Sequence, residues 1–262
     1  MEKQDRIFDG LAKRFNQRIY DNPKGKIRLA IVQDDLQNTI DLSKPLKVLD
    51  MGGGLGQMSI WLAQQGHQVT LCEPASDMLD IARETISDLK LNDNITLSNK
   101  TLQQLSSKAN EKYDLIIFHA VLEWLAEPKQ AIALLLTLLK PNGVLSLMFY
   151  NHHSAVMRSL MVGDFKRIRN NYIAAMGNKG FTPISPLEPN QVIQWLEEFK
   201  MDTLSWTGVR VFHDYMHPEA RKKALLEDVI EMERKYSRIE PWRSLARYQH
   251  LICRKNRAEV KA

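Results

Sequence analysis

The chain has 262 residues, 44% of them hydrophobic and 26% charged, with a formal net charge of +5 at pH 7. That length and balance suit a folded chain with a substantial core and exclude a fibrous, low-complexity or disulfide-stapled protein. No run approaches the roughly 18 apolar residues that span a bilayer, and the charged start has no apolar stretch behind it of the kind a signal peptide needs. The two cysteines, Cys72 and Cys253, sit in apolar runs that read as strands, so no disulfide framework is expected and the cytoplasm is the expected compartment.

Two helices are predicted first, over 8–19 and 24–40, separated by Asp21-Asn22-Pro23. From 45 to about 150, short apolar runs alternate with 3.6-period segments, the pattern of βαβ units and a parallel sheet. The predicted strands are 47–50, 68–72, 95–97, 115–119 and 143–150, with helices over 56–65, 76–90 and 128–139 between them. Ser76 reads as an N-cap, and Lys140-Pro141-Asn142-Gly143 reads as the turn closing the third of those helices. A long stretch, 151–189, then leads to a helix over 190–199 and a strand near 203–207; a second stretch, 208–244, carries an amphipathic helix over 218–238, before a final strand over 245–254.

The charge is concentrated in two basic segments, one inside 151–189 and one running from the end of the second stretch through the final strand. From 158 to 179 the chain holds Arg158, Lys166, Arg167, Arg169 and Lys179 with Asp164 as the only acid. From 234 to 257 the chain holds Arg234, Lys235, Arg238, Arg243, Arg247, Arg254, Lys255 and Arg257 against Glu240 alone. Chain leaving the C-terminal end of a parallel strand emerges on the face where open α/β sheets bind ligands. Both basic segments are therefore expected to overhang a ligand site, as a polyanion-binding surface or as a solvated face.

Chemistry is carried by Asp50-Met51-Gly52-Gly53-Gly54-Leu55-Gly56, where a strand turns into a helix and the backbone can approach a ligand closely. A glycine turn alone leaves a dinucleotide enzyme or a purely structural turn open. Asp50, an acid before the glycines, suits an ammonium-bearing ligand better than a pyrophosphate. Glu73, at the tip of the next strand, is spaced to accept from ribose hydroxyls, as in dinucleotide enzymes too. Thr101-Leu102-Gln103 offers an amide for an adenine edge. This pattern, with Leu138-Leu139-Lys140-Pro141-Asn142-Gly143-Val144-Leu145, resembles the class I S-adenosylmethionine-dependent methyltransferases. Many of these have an aspartate where this chain has Gln103.

Three further segments narrow the resemblance: Phe118-His119-Ala120-Val121-Leu122-Glu123-Trp124, Leu145-Ser146-Leu147-Met148-Phe149-Tyr150-Asn151, and Thr207-Gly208-Val209-Arg210-Val211-Phe212-His213-Asp214-Tyr215. With Lys24-Gly25 and Arg28, they look like the bacterial tRNA 5-carboxymethoxyuridine methyltransferases, over nearly the whole chain. The resemblance implies an α/β, Rossmann-like class I methyltransferase fold: a seven-stranded, mostly parallel sheet with one antiparallel strand and helices on both faces. It implies a single domain, 1–262, with 1–44 as N-terminal helices and 151–189 and 208–244 as insertions over the catalytic face.

It also implies S-adenosylmethionine as cofactor, and transfer of its methyl group to the carboxylate of a modified wobble uridine, with the tRNA anticodon arm as partner and neither metal nor membrane involved. Arg28, Gly52, Gly53, Glu73, Leu102, Gln103 and His119 fall at the family's cofactor positions, and Asp50 and Gly54 join them on their chemistry. Tyr150, Arg210, His213 and Tyr215 are candidates to position the base, and Arg243, Arg247 and Tyr248 to meet phosphates. No catalytic residue is expected, because a carboxylate is already ionised at neutral pH. A methyltransferase for a small carboxylic acid, an enzyme using carboxylated S-adenosylmethionine, and a non-enzymatic RNA-binding protein are the rival readings.

Overall fold

The computed structural model describes residues 4–12, 22–107, 111–170, 173 and 183–256. Most of the helix predicted over 8–19, with Lys179 and Arg257, lies outside them. The first described helix, α1 (Pro23–Thr39), starts where Asn22 Oδ1 accepts the amides of Lys24 and Gly25 and Pro23 supplies a fixed φ at the first position. There follow β1 (Lys47–Met51), α2 (Gln57–Ala63), β2 (Gln68–Cys72), α3 (Ser76–Asp88), β3 (Ile95–Ser98), α4 (Leu102–Ser106), β4 (Tyr113–His119), α5 (Pro128–Leu138) and β5 (Leu139–Tyr150). Then come α6 (His152–Met161), α7 (Phe165–Arg169), α8 (Pro189–Glu198), β6 (Met201–Val209), α9 (Pro218–Lys223), α10 (Leu226–Tyr236), α11 (Trp242–Leu245) and β7 (Tyr248–Lys255). Single 3-10 turns at Leu122–Trp124 and His213–Tyr215 follow β4 and β6.

The strands form one seven-stranded sheet in the order β3-β2-β1-β4-β5-β7-β6. β7 pairs antiparallel with both β5 and β6, and the pairs among β1 to β5 are all parallel. This is the predicted fold class. Alternate residues of β4 feed opposite cores: Leu115 and Ile117 pack with Ile27, Leu36, Leu62 and Ile86 on one face, Ile116 and Phe118 with Ile132, Leu135, Val192 and Leu196 on the other. A strand covered on both sides reads as an unbroken apolar run, which is how this one reads in the sequence.

Several boundaries differ from expectation for tertiary reasons. Ser76 is the first helical residue of α3 rather than its cap, and the capping oxygen comes from Asp9, whose Oδ1 accepts both the amide and the hydroxyl of Ser76. Lys140-Pro141-Asn142-Gly143 lies inside β5 as a bulge, since Leu139 pairs with Tyr113 while Val144 pairs with Leu115. The helix predicted over 218–238 is two. Arg221 ties α9 to the carbonyls of Asp214 and Met216, while α10 turns to seat the buried Glu233 against the amides of Val211, Phe212 and His213. The final strand starts at Tyr248, not 245, because α11 occupies Trp242–Leu245.

The chain reverses direction across the sheet between β1 and β4, so the crevice of a doubly wound sheet opens at their C-terminal ends.

Candidate functional site

The glycine loop leaves β1 at this crevice. Gly52 has φ +71°, and a Cβ there would stand 2.5 Å from a Val121 methyl; at Gly53 it would stand 2.2 Å from Leu71 Cδ1 and 2.7 Å from the Asp50 carboxylate. The backbone thus lies flat against its surroundings and leaves open one face. Two adjoining clefts occupy that face. Arg28, Leu29, Val32, Asp50, Gly52, Gly53, Gln57, Met58, His119 and Met148 line the first; Arg28, Gly52, Gly54, Glu73 and His119 recur in or extend the second, with Arg6, Phe8, Met78, Val121 and Trp124. Seven of the expected cofactor residues therefore meet: Arg28, Asp50, Gly52, Gly53, Gly54, Glu73 and His119.

Their electrostatics are set by burial. The Asp50 carboxyl is pushed up to about 6 by burial, against a hydrogen bond from Ser59 at 2.6 Å. Burial likewise raises Glu73, whose oxygens accept the amides of Gly54 at 3.0 Å and Ala75 at 2.9 Å. Glu73 therefore braces the glycine loop as well as lining the cleft. For Asp50 the folded value lies above the unfolded one, so the stability it contributes is full below about pH 4 and lost as pH rises through 6. Wild type should thus lose roughly 3 kcal/mol relative to Asp50→Asn across that window, read as the difference between the two urea-unfolding free energies at pH 4 and pH 7.5.

Leu102 and Gln103 do not join the lining. Leu102 is buried with Leu49 and Phe118, and Gln103 Nε2 donates to Asp5 at 3.1 Å. Asp5 also accepts the amide of Ala126, and the residues after it, Arg6, Ile7 and Phe8, line the second cleft. There the Arg6 amide donates to Trp124 O, Phe8 meets Trp124 edge-on at 4.8 Å, and the Arg6 guanidinium lies 5.0 Å from the Phe8 ring centre. Sequence reasoning missed Arg6, Phe8 and Trp124 in this role, because nothing local in residues 4–12 shows which distant residues they meet.

The residues expected to touch substrate divide in two. Tyr150, Arg247 and Tyr248 come together: the Arg247 guanidinium lies 4.5 Å from the Tyr150 ring centre, and the Tyr150 and Tyr248 rings meet edge-on at 5.8 Å. Tyr150 and Arg247 line a third cleft with Arg158, Ser159, Asp164 and Arg167. Met148, in the first cleft, and Tyr150, in the third, are two residues apart on β5 and so share a strand face.

Arg210, His213, Tyr215 and Arg243, also expected to touch substrate, line none of these three clefts. Arg210 sits at a corner with φ +62° that turns it inward, where Nε donates to Asp214 at 2.8 Å behind the Tyr248 ring. Burial would raise Asp214, but Arg210 and Arg247 hold it down at about 2. His213 is buried and pushed down to about 4 by that burial. The Tyr215 hydroxyl donates to Leu245 O at 2.6 Å, and Arg243 pairs with Glu240 and stacks on Trp206 at 3.9 Å. Arg210→Ala, which removes both guanidinium bonds to the buried Asp214 Oδ2 and leaves that carboxylate Lys24 at 3.8 Å, is expected to cost about 3 kcal/mol of stability, measured by denaturant unfolding.

Among the described residues no group of three His, Cys, Asp or Glu could hold a metal ion, and no helix is long and apolar enough to cross a membrane.

Residues 49–145 match the Methyltransferase domain family. The tRNA 5-carboxymethoxyuridine methyltransferase of Escherichia coli (strain K12) is 39% identical over 260 residues, 98% of this chain and 99% of that one. The chain belongs to this family. As a methyltransferase of that family it uses S-adenosylmethionine as its cofactor. Solved structures agree on the fold: the magnesium protoporphyrin IX methyltransferase of Synechocystis PCC 6803 with bound SAH has a TM-score of 0.63 at 17% identity, covering 95% of this chain and 96% of that one. The plantazolicin methyltransferase BpumL, in complex with a monoazolic desmethylPZN analog and SAH, has a TM-score of 0.57 at 17% identity, covering 94% of this chain and 89% of that one.

The residues present fit such a cofactor. The glycine cradle has no room for side chains on its buried side, and two buried carboxylates and a guanidinium border the space that remains.

Proposed function

We propose that this methyltransferase esterifies the carboxylate of 5-carboxymethoxyuridine at the wobble position of tRNA, giving the methyl ester, with the anticodon arm as the surface it grips. The similarity to the E. coli enzyme over 98% of the chain carries the reading. The third cleft supports it. Arg158, Arg167 and Arg247 line the cleft with one acid, Asp164, whose Oδ1 accepts the Arg167 amide. Beside it Leu160, Met161, Val162 and Phe165, at the α6–α7 tip, are all 47% exposed or more. Arginines beside exposed apolar and aromatic groups suit an unpaired RNA loop, whose phosphates take the cations and whose splayed bases pack on the rings.

In this reading Gly52, Gly53 and Gly54 let the cofactor lie against the backbone, Glu73 accepts from its ribose, and Asp50 and Arg28 balance its ammonium and carboxylate ends. His119 borders the same space. Leu102 and Gln103 stand behind the adenine side, Gln103 through its bond to Asp5. When bound, the cofactor would supply a methyl group on a sulfonium; the acceptor oxygen would bond to that methyl carbon in line as the sulfur leaves as a thioether. The acceptor carboxylate needs no base, so the protein's share is alignment and exclusion of water. Arg6, Phe8 and Trp124 close one side of the cleft for that purpose. Since the acceptor's charge is lost in the transition state, the arginines serve best on phosphates, away from the reacting carboxylate. Arg210, His213 and Tyr215 act from behind, holding Tyr248 and the loop after β6; Arg243 braces that loop against Trp206.

The whole chain is proposed to work as one domain, in the cytoplasm. Labelled S-adenosylmethionine and bulk tRNA from cells lacking this gene test the reading: base-labile label in tRNA is expected. Label only in small carboxylic acids would replace the substrate.

A further inference from the structure

A buried polar chain leads from the cofactor cleft along the face of the sheet that α1 covers, across β5 and β7 toward β6. His119 Nε2 lies 2.8 Å from Ser146 Oγ, Ser146 Oγ lies 2.7 Å from His250 Nε2, and His250 Nδ1 lies 2.7 Å from Asp35 Oδ2. Asp35 Oδ1 accepts from Ser205 Oγ at 2.6 Å and from the Arg238 guanidinium at 2.5 Å. Ser146, His250 and Asp35 are buried, at 2% exposure or less. They come from β5, β7 and α1, and only His119 reaches the cleft.

The donors and acceptors along this chain are not independent. Asp35, although burial alone would raise it, is held well below the usual carboxylate range by His250, Ser205 and Arg238, so it accepts only. His250 must then carry a proton on Nδ1. Arg238 already balances the Asp35 carboxylate at 2.5 Å, so the pair calls for no second cation; with its one proton on Nδ1, His250 leaves Nε2 as an acceptor, which Ser146 fills with its hydroxyl proton. Ser146 has one proton to give, so at its other contact it must accept, and His119 must carry its proton on Nε2. Burial pushes His119 well below its ordinary value, so the ring is neutral and Nδ1 keeps a lone pair.

We infer that Asp35, His250 and Ser146 are positioning residues that fix the Nε2–H form of His119, so that this ring offers the cofactor cleft an acceptor nitrogen. A lone pair there suits the ammonium end of S-adenosylmethionine, whereas an N–H would oppose it. The cofactor part of this inference rests on the place given to His119 under the proposed function; the proton order rests on the hydrogen bonds together with the charge on Asp35 and the neutral His119 ring.

Asp35→Asn inverts the chain. Its oxygen stays with the two donors Ser205 and Arg238, so its amide nitrogen faces His250 and donates to Nδ1. His250 then carries its proton on Nε2 and donates to Ser146, Ser146 donates to His119 Nε2, and His119 becomes the Nδ1–H form. Ser146→Ala cuts the chain and lets both forms coexist. The order can be read without turnover, from the 15N shifts of the His119 ring in cofactor-free protein, with S-adenosylmethionine affinity by calorimetry alongside.

Wild type should show Nδ1 unprotonated, Asp35→Asn should show it protonated with an affinity at least about tenfold weaker, and in the Ser146→Ala background Asp35→Asn should change neither reading. A protonated Nδ1 in wild type, or the same His119 form in wild type and Asp35→Asn, would overturn the inference. A shifted proton with unchanged affinity would uphold the relay and overturn only the contact between His119 and the cofactor.

Discussion

Gly53→Ala is expected to weaken S-adenosylmethionine binding by at least about a hundredfold and to lower stability by about 1–3 kcal/mol. The added Cβ would stand 2.2 Å from Leu71 Cδ1 and 2.7 Å from both Cγ and Oδ2 of Asp50. Leu71 is fully buried in the core between β2 and the helices behind it and cannot retreat, so the loop itself must lift off β1. That motion carries the loop into the space where the cofactor is proposed to lie, and turns the Asp50 carboxyl away from Ser59. Gly66→Ala provides the control. Gly66 has φ +87° but nothing within 4 Å of an added Cβ, so it carries backbone strain of about 1–2 kcal/mol without touching the cleft. Calorimetric titration with S-adenosylmethionine, beside unfolding curves for both variants, separates the two effects: weaker affinity in one variant only, lower stability in both.

The second large effect belongs to the arginine cleft. Arg158→Ala combined with Arg247→Ala is expected to raise KM for tRNA about a hundredfold, about tenfold or 1.4 kcal/mol for each charge-assisted hydrogen bond removed. Turnover at saturating tRNA should change little, and S-adenosylmethionine affinity should not change, because neither side chain lines the cofactor clefts. The dependence of binding on salt should become shallower by about 1 for each phosphate that the variant no longer neutralises. Arg167 is left in place because its Nη2 also donates to the carbonyl of Ile173, so its removal would disturb the segment as well as the charge. Filter binding of an anticodon stem-loop at several salt concentrations measures both quantities.

The parts of the molecule legible in the sequence are those fixed by local pattern. The strands β1, β2 and β4 are apolar runs because helices cover both faces of the sheet, and the glycine loop is visible because close backbone approach requires small residues at fixed places. Asp50, Gly52, Gly53, Gly54, Glu73 and His119 could be grouped from sequence because each stands at the C-terminal end of a strand or in the turn that follows, and parallel strands bring those ends together.

What escaped sequence reading depends on pairings across long stretches of chain. Arg210 carries the charge expected of an RNA contact, but its partner Asp214 is reached through a positive-φ corner that no propensity marks. Ser76 looks like a helix cap, yet the capping group is Asp9, 67 residues earlier. Asp35 and His250 are separated by 215 residues, and their link to Ser146 and His119 exists only because α1 packs across β6 and β7. In each case the side chain's chemistry was readable and its partner was not.

The claim that joins these features is methyl transfer to a carboxylate on tRNA. Its most direct measurement is nucleoside mass analysis of tRNA from cells lacking this gene, before and after incubation with the purified protein and S-adenosylmethionine. The expected product is 5-carboxymethoxyuridine heavier by one CH2, reverting to the starting nucleoside in mild base as an ester does. Unmodified 5-carboxymethoxyuridine after incubation, or a new methyl group that survives base, would contradict the account.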